Sequence, residues 1–240
     1  MLIMENEDRT ILKEIKKGQT GTGLLIENEG FISLDYEGNK SIKEGISHDS
    51  EWQVPYPFRL KTVFQKYGIQ NKNGRIYSEN ILKREVEKYQ ENIRQRLAYA
   101  ELNHPDSETI DLGRICLNIV ELHWEGHTLV GEIEIPISYG FRKMGIISSL
   151  ADLLAQWILS GLKIGVSSRG IGSVRNVMGQ QIVDDDYELE CFDAVSAPST
   201  PGAYICPSGD ISMYVENKEK TKGAKSINEK ITKALGILKG

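Results

Sequence analysis

Apolar residues fall at helical spacing in two stretches of this chain and alternate at strand spacing in several others. Ile81, Leu82, Val86, Tyr89, Ile93 and Leu97 share one helical face. Ser78 precedes them as an N-cap, because its hydroxyl can accept from a backbone N–H of the first turn. The Asn-Gly pair of "NKNGR" supplies a turn just upstream. Leu150, Leu153, Leu154, Trp157 and Ile158 predict a second amphipathic helix, started by Ser148 or Ser149 and ended by Gly161. Ile115, Leu117 and Ile119 alternate as along a half-buried strand, "WEGH" turns the chain, and Leu129, Gly131, Ile133 and Ile135 alternate again. That pattern predicts a β-hairpin with Glu125 and Gly126 at its tip. The strand-like runs "LKIGVSSRG", "QQIVDD" and "YELECFDAVS" follow the second helix before the two prolines of "APSTPGAY" break the pattern.

The two ends read differently. Residues 1–50 are rich in Gly, Lys and Glu with only short apolar runs, "GLLI" and "FISL", as in a flexible arm or a few strands in need of a partner. Glu216 to Gly223 are mostly charged, a linker, and Ile227, Ile231, Ala234, Leu235 and Leu238 beyond them outline a short terminal helix. The expected organisation is an arm over 1–50, one domain of catalytic size over 51–210, and a charged linker with a terminal helix over 211–240, without internal repeats.

Composition narrows the function classes. The 240 residues suffice for one substantial core. The formal net charge of -5 is scattered in sign, so no basic stripe suited to nucleic acid is present. No apolar run approaches the ~20 residues of a membrane span. The opening "MLIMENEDRT" carries acids where a secretory signal would carry lysines, which points to a cytosolic protein. Cys116, Cys191 and Cys206 lack CxxC spacing and are expected to be reduced and buried, neither disulfide-forming nor zinc-binding.

Candidate chemistry concentrates in "KIGVSSRGIGSV". On a strand, Ile164, Val166 and Ser168 face one way and Gly165, Ser167 and Arg169 the other. Ser168 thus belongs to the apolar face, whereas Ser167 lies beside a glycine and a cation and is the candidate nucleophile. The sequence is not the GxSxG elbow of α/β-hydrolases, because Arg169 stands where the second glycine should be. The plainer reading is a strand with two serines and a surface arginine. A serine also needs a base within reach. His48, His123 and His127 read as surface or packing residues, while His104 closes the extended run "AYAELNHP", where Pro105 fixes an extended backbone at the residue before it. Asp193, alone among the apolar residues of "CFDAVSAPS", needs a partner. It either orients an imidazole, as the acid of a triad does, or pairs with an arginine such as Arg114 or Arg169.

The blocks "NKNGRIYSENILKREVEKY", "ELNHP", "IGVSSRGIGS" and "FDAVSAPS", in this order, resemble the prohead core proteases of tailed phages, serine proteases related to the herpesvirus assemblins, from about residue 58 to residue 205. The resemblance implies an α+β fold, a mixed and mainly antiparallel β-barrel surrounded by helices. It implies a serine endopeptidase acting inside the immature capsid in the host cytoplasm. The substrates would be scaffold or core proteins, capsid protein precursors and the protease itself, cut after Glu in Leu/Ile-x-Glu sequences without metal or cofactor. By that likeness His104 is the general base, Ser167 the nucleophile, and Arg169 part of the oxyanion or substrate-binding region. Gly165 would keep that face clear for a substrate backbone, Ser168 would pack behind and offer backbone N–H support, and Lys163 with Arg169 could meet the substrate glutamate. Asp193 stands where phage relatives carry an acid; herpesvirus members use a second histidine, which none of the matching blocks supplies, and they dimerise to become active, so a homo-oligomer is an open arrangement here. Self-cleavage is expected at the terminal triplets Leu12-Lys13-Glu14, Leu25-Ile26-Glu27, Ile42-Lys43-Glu44 and Ile227-Asn228-Glu229. The alternative is a non-enzymatic scaffold that keeps the protease fold; an unrelated esterase is a third reading, which the missing GxSxG counts against.

Overall fold

The computed structural model describes residues 23–26, 54–105, 107 and 109–206. Most of the expected arm, including "FISL" and His48, and the charged linker with its terminal helix lie outside the described residues. Strands dominate. A five-stranded antiparallel sheet contains β2 (Phe58–Lys66), β4 (Tyr99–Glu101), β5 (Ile115–Glu125), β6 (Thr128–Ile135) and β11 (Ile205–Cys206) in the order β11-β2-β6-β5-β4. A second sheet places β7 (Gly165–Gly172) between β1 (Gly23–Ile26) and β10 (Glu188–Val195). The third joins β3 (Arg75–Ile76), β9 (Gln180–Val183) and β8 (Val174–Val177). The run "GLLI" is therefore a strand, with β7 as the partner it needs.

The expected closed barrel requires a correction. Among the described residues the strands form three sheets rather than one continuous ladder. Two isolated bridges tie the first two sheets together, Leu102 with Ala194 and Gly165 with Tyr204. Neither extends into a ladder. Asn103, directly after Leu102, takes a left-handed backbone at φ +64, which a strand cannot continue through, and β11 is only two residues long. The fold is mixed α+β.

Helix α1 (Glu79–Arg94) begins where the pattern predicts, with the Ser78 hydroxyl accepting from Ile81 N. It buries Ile81, Leu82, Val86 and Tyr89. Leu97 does not join them. Arg96 at φ +58 turns the chain out of the helix, leaving Leu97 45% exposed. Helix α3 (Leu150–Leu159) is capped by Ser149 and followed by Gly161 at φ +82; the short α2 (Tyr139–Met144) has no counterpart in the sequence pattern. The β5–β6 hairpin pairs Glu125 with Thr128, so its two loop residues are Gly126 and His127, one position beyond the expected tip. The main core lies between the five-stranded sheet, α1, α3 and the inner face of β7 and β10. At its centre Phe64 and Tyr89 both meet Phe192 edge-on, at 5.0 and 5.7 Å between ring centroids, a favoured aromatic geometry.

Candidate active site

The antiparallel register of β7 with β10 sorts the two serines. Ser167 pairs with Asp193, Ser168 with Phe192 and Val166 with Ala194, and directly opposed residues in such a pair project from the same face. Val166, Phe192 and Ala194 belong to the core. Ser168 shares their side, buried, and accepts a hydrogen bond from Gln65 Nε2 at 3.1 Å. Ser167, Arg169 and Asp193 share the other face, all buried.

His104 reaches this face from β4. The Leu102 bridge and the bond from Asn103 N–H to Ala194 O, 2.8 Å, hold the end of "AELNHP" against β10. His104 Nδ1 then lies 2.7 Å from Asp193 Oδ2, with both side chains almost fully buried. A proton on Nδ1 would donate to this carboxylate and leave the lone pair on Nε2. Nε2 is itself buried and makes no hydrogen bond to the described residues. His104 and Asp193 are thus in contact, and Ser167 stands directly across the ladder from Asp193.

Asp193 has further partners. Its Oδ1 accepts from Glu101 N at 3.0 Å, and its Oδ2 lies 2.9 Å from Arg169 Nε. Asp193 thus touches both the imidazole of His104 and the guanidinium of Arg169. Arg114 instead donates to Leu102 O. Arg169 is completely buried. Its Nη2 pairs with Glu101 Oε2 at 2.8 Å, its Nη1 donates to Ser107 O at 2.6 Å, and its Nε also lies 3.2 Å from Cys191 Sγ. Burial pulls the guanidinium pKa down, but the hydrogen bond to Cys191 Sγ and the carboxylates of Asp193 and Glu101 outweigh it and hold the group charged. Burial, reinforced by Asp193, pushes the Cys191 thiol far up, so it stays neutral.

Glu101 is the member of this cluster that the sequence reading passes over. It lies in "AYAEL", a carboxylate among apolar neighbours, and the reasoning applied to Asp193 would have flagged it. Two carboxylates and one guanidinium leave the buried cluster one negative charge in excess. A protonated imidazole would balance it.

Two of the three expected substrate contacts look different in place. Arg169 points inward at two carboxylates, so it is not a group waiting for an oxyanion or a substrate glutamate. Gly165 does not face open space. A Cβ there would lie 2.3 Å from Pro198 Cδ, so the glycine is required by the proline ring packed on it. Lys163 is exposed and sits just before β7 begins. Of the other histidines, His123 lies exposed on β5, within 2.9 Å of Glu121 and 3.4 Å of Glu125, and His127 is buried at the hairpin turn beside the Tyr67 ring.

The arrangement of strands is that of a viral capsid protease. The chain superposes on the bacteriophage T4 capsid assembly protease with a TM-score of 0.54, covering 72% of this chain and 98% of that one at 24% sequence identity. In sequence, residues 38–213 match the family described as prohead core protein serine protease. The chain is also 32% identical to the prohead core protein protease of Enterobacteria phage T4 over 188 residues, 77% of this chain and 84% of that protein. The chain belongs to the prohead core protein serine protease family.

Proposed function

We propose that this chain is a serine endopeptidase of the phage prohead, with Ser167 as nucleophile, His104 as general base and Asp193 as the acid that orients the imidazole. Family membership supports peptide hydrolysis during capsid maturation, with capsid and scaffold proteins as substrates inside the procapsid. One observation carries the residue assignment: the 2.7 Å contact of His104 Nδ1 with Asp193 Oδ2, directly opposite Ser167 in the β7–β10 register.

The chemistry follows from the charges. Asp193 fixes the tautomer in which Nε2 is the base. As Ser167 Oγ attacks a scissile carbonyl, its proton passes to Nε2, and the resulting imidazolium neutralises the cluster's excess negative charge. Arg169 pairs with Asp193, and Glu101 offsets Arg169, so the aspartate is left to act on the imidazole. Hydrogen bonds at catalytic dyads commonly tighten only in the substrate complex, consistent with an unbonded Nε2 here. The developing oxyanion is held by the backbone N–H of Ser168, the residue after the nucleophile; one such donor contributes ~3 kcal/mol. Lys163, exposed just before β7, is the cation offered to a substrate glutamate in Leu/Ile-x-Glu sequences.

A fluorophosphonate probe with peptide mapping tests the assignment. Stoichiometric labelling of Ser167, lost in Ser167→Ala, together with cleavage of a Leu-x-Glu peptide, is expected. A folded, assembled chain that takes no label and cuts no peptide would instead be a scaffold that keeps the protease fold.

A further inference from the structure

A relay of three buried polar side chains runs behind the nucleophile, on the core side of β7. Thr200 Oγ1 donates to Gln65 Oε1, and Gln65 Nε2 donates to Ser168 Oγ at 3.1 Å. All three residues are buried, so the relay is sealed from solvent. We propose that Gln65 and Thr200 are positioning residues for the reaction: their relay holds Ser168, and with it the backbone N–H that meets the oxyanion, in place beside Ser167. The proposal rests on the reading of Ser167 as nucleophile.

A distortion in β2 aims Gln65 at this target. From Phe58 to Thr62 the strand alternates, with Arg59 and Lys61 exposed between buried neighbours. Continued without interruption, that alternation would turn Phe64 to the core and Gln65 away from it. The pairing with β6 instead slips by one residue. Val63 stands opposite Val130, yet Gln65 stands opposite Leu129, which leaves Phe64 as the extra residue of a β-bulge. Opposed residues share a face, so Gln65 joins Leu129 on the core side, where Phe64 lies as well. Bulges beside active sites re-aim a side chain. This one carries an amide across the interior from the five-stranded sheet to β7.

An amide at that position would otherwise be a poor choice. Buried without partners, it would destabilise a core that an apolar side chain could fill. Glutamine suits the place because it accepts at one end and donates at the other, which joins a hydroxyl donor, Thr200, to a hydroxyl acceptor, Ser168. Three separate parts of the chain, β2, β7 and the segment after β10, thus meet at one satisfied polar path inside an apolar core.

The segment that carries Thr200 also holds β7 ahead of the nucleophile. The Pro198 ring lies against Gly165, Val166 N–H donates to Ala203 O at 2.8 Å, and Ile205 N–H donates to Ile164 O at 3.0 Å. Those contacts fix the strand on the N-terminal side of Ser167. The relay fixes it on the C-terminal side, at Ser168. On the opposite face Asp193, directly across the ladder from Ser167, contacts His104. The peptide unit joining Ser167 to Ser168 is therefore held from both faces of the sheet, and its N–H is the oxyanion donor. Such a donor works because it is fixed before the charge develops, and small displacements of reacting groups are costly in rate.

The test compares full-length Gln65→Met and Thr200→Val with wild type; both changes keep close to the original side-chain volume and remove the polar atoms of the relay. In each, kcat for a Leu-x-Glu peptide should fall about fivefold, the worth of one hydrogen bond, with KM unchanged. The rate at which a fluorophosphonate labels Ser167 should fall in step, because the tetrahedral phosphorus adduct sets an oxygen where the oxyanion forms. A relay that only stabilised the fold would lower the melting temperature and leave kcat and labelling of the folded protein as they were. The double variant should lose no more than Gln65→Met alone, and in a Ser168→Ala background Gln65→Met should lose nothing further, since all three residues act through one path. Should Gln65→Met fail to fold, Thr200→Val carries the same expectation from the far end of the relay. Wild-type kcat in folded Thr200→Val, a change confined to KM, or losses that multiply in the double variant would each overturn the proposal while leaving Ser167 as the nucleophile. A folded wild type that neither takes label at Ser167 nor cuts the peptide would end both.

Discussion

Arg169→Met separates a framework role for this arginine from a substrate-binding one. The side chain is fully buried and holds Glu101 at 2.8 Å, Asp193 at 2.9 Å and Ser107 O at 2.6 Å. Methionine fills much of the volume but leaves two carboxylates in the interior without their cation. Glu101 would keep its bond from Asp111 N, and Asp193 its bonds from Glu101 N, His104 and Cys191 Sγ. Removing one partner of a buried ion pair costs about 3–5 kcal/mol, because the remaining charge stays desolvated. Against the roughly 5–15 kcal/mol that holds a domain together, that is a large share. Urea unfolding should therefore show a loss of at least about 3 kcal/mol, with a fall in melting temperature on the order of 10 °C. Activity should fall as well, since Asp193 would lose the Arg169 contact that fixes it beside the imidazole. Pairing the change with Glu101→Gln should recover part of the stability, because it removes one of the two stranded charges. A single Arg169→Met variant with wild-type stability and only a raised KM for glutamate-containing peptides would refute this account and return Arg169 to the substrate.

Ser167→Ala should abolish peptidase activity by several orders of magnitude with the fold intact, whereas Ser168→Ala should lose its Gln65 bond and mainly disturb packing; kinetics and unfolding curves on both variants decide, and the reverse pattern would overturn the face assignment. Asp193→Asn should lower kcat strongly by placing the imidazole in the wrong tautomer, and wild-type turnover in that variant would move the third role elsewhere. Asp152, fully buried, is pushed up by burial but held below the ordinary aspartate range by bonds from Ser138 and Ser148. A depressed carboxyl stabilises the fold above its unfolded pKa of ~3.9 and ceases to do so as the pH falls through its folded value. Asp152→Asn should accordingly cost about 2 kcal/mol at neutral pH, and the gap to wild type, measured by denaturation across pH, should narrow in acid; a gap independent of pH would refute the assignment.

Local rules sufficed wherever the deciding interaction is itself local. Ser78 and Ser149 start their helices because a hydroxyl two or three residues away satisfies an N–H of the first turn, and the β5–β6 hairpin closes through neighbouring residues. Strand alternation alone divides Ser167 from Ser168. The same rules lose β2, whose run "FRLKTVFQK" reads as mixed polar sequence although Thr62, Gln65 and Lys66 are all buried in the structure. They also misread Arg169 and Gly165. A lone arginine on a strand suggests solvent, and only the arrival of Glu101 and Asp193, 68 and 24 residues away in the chain, makes its burial affordable. A glycine beside a serine suggests open space, and only the return of the chain at Pro198 fills it. The sequence by itself determined which residues carry reactive groups and which way each faces along its own strand. Only the tertiary structure decided which charges cancel, because an ion pair depends on distance in space, and the chain brings these carboxylates to Arg169 only once β4, β7 and β10 have assembled.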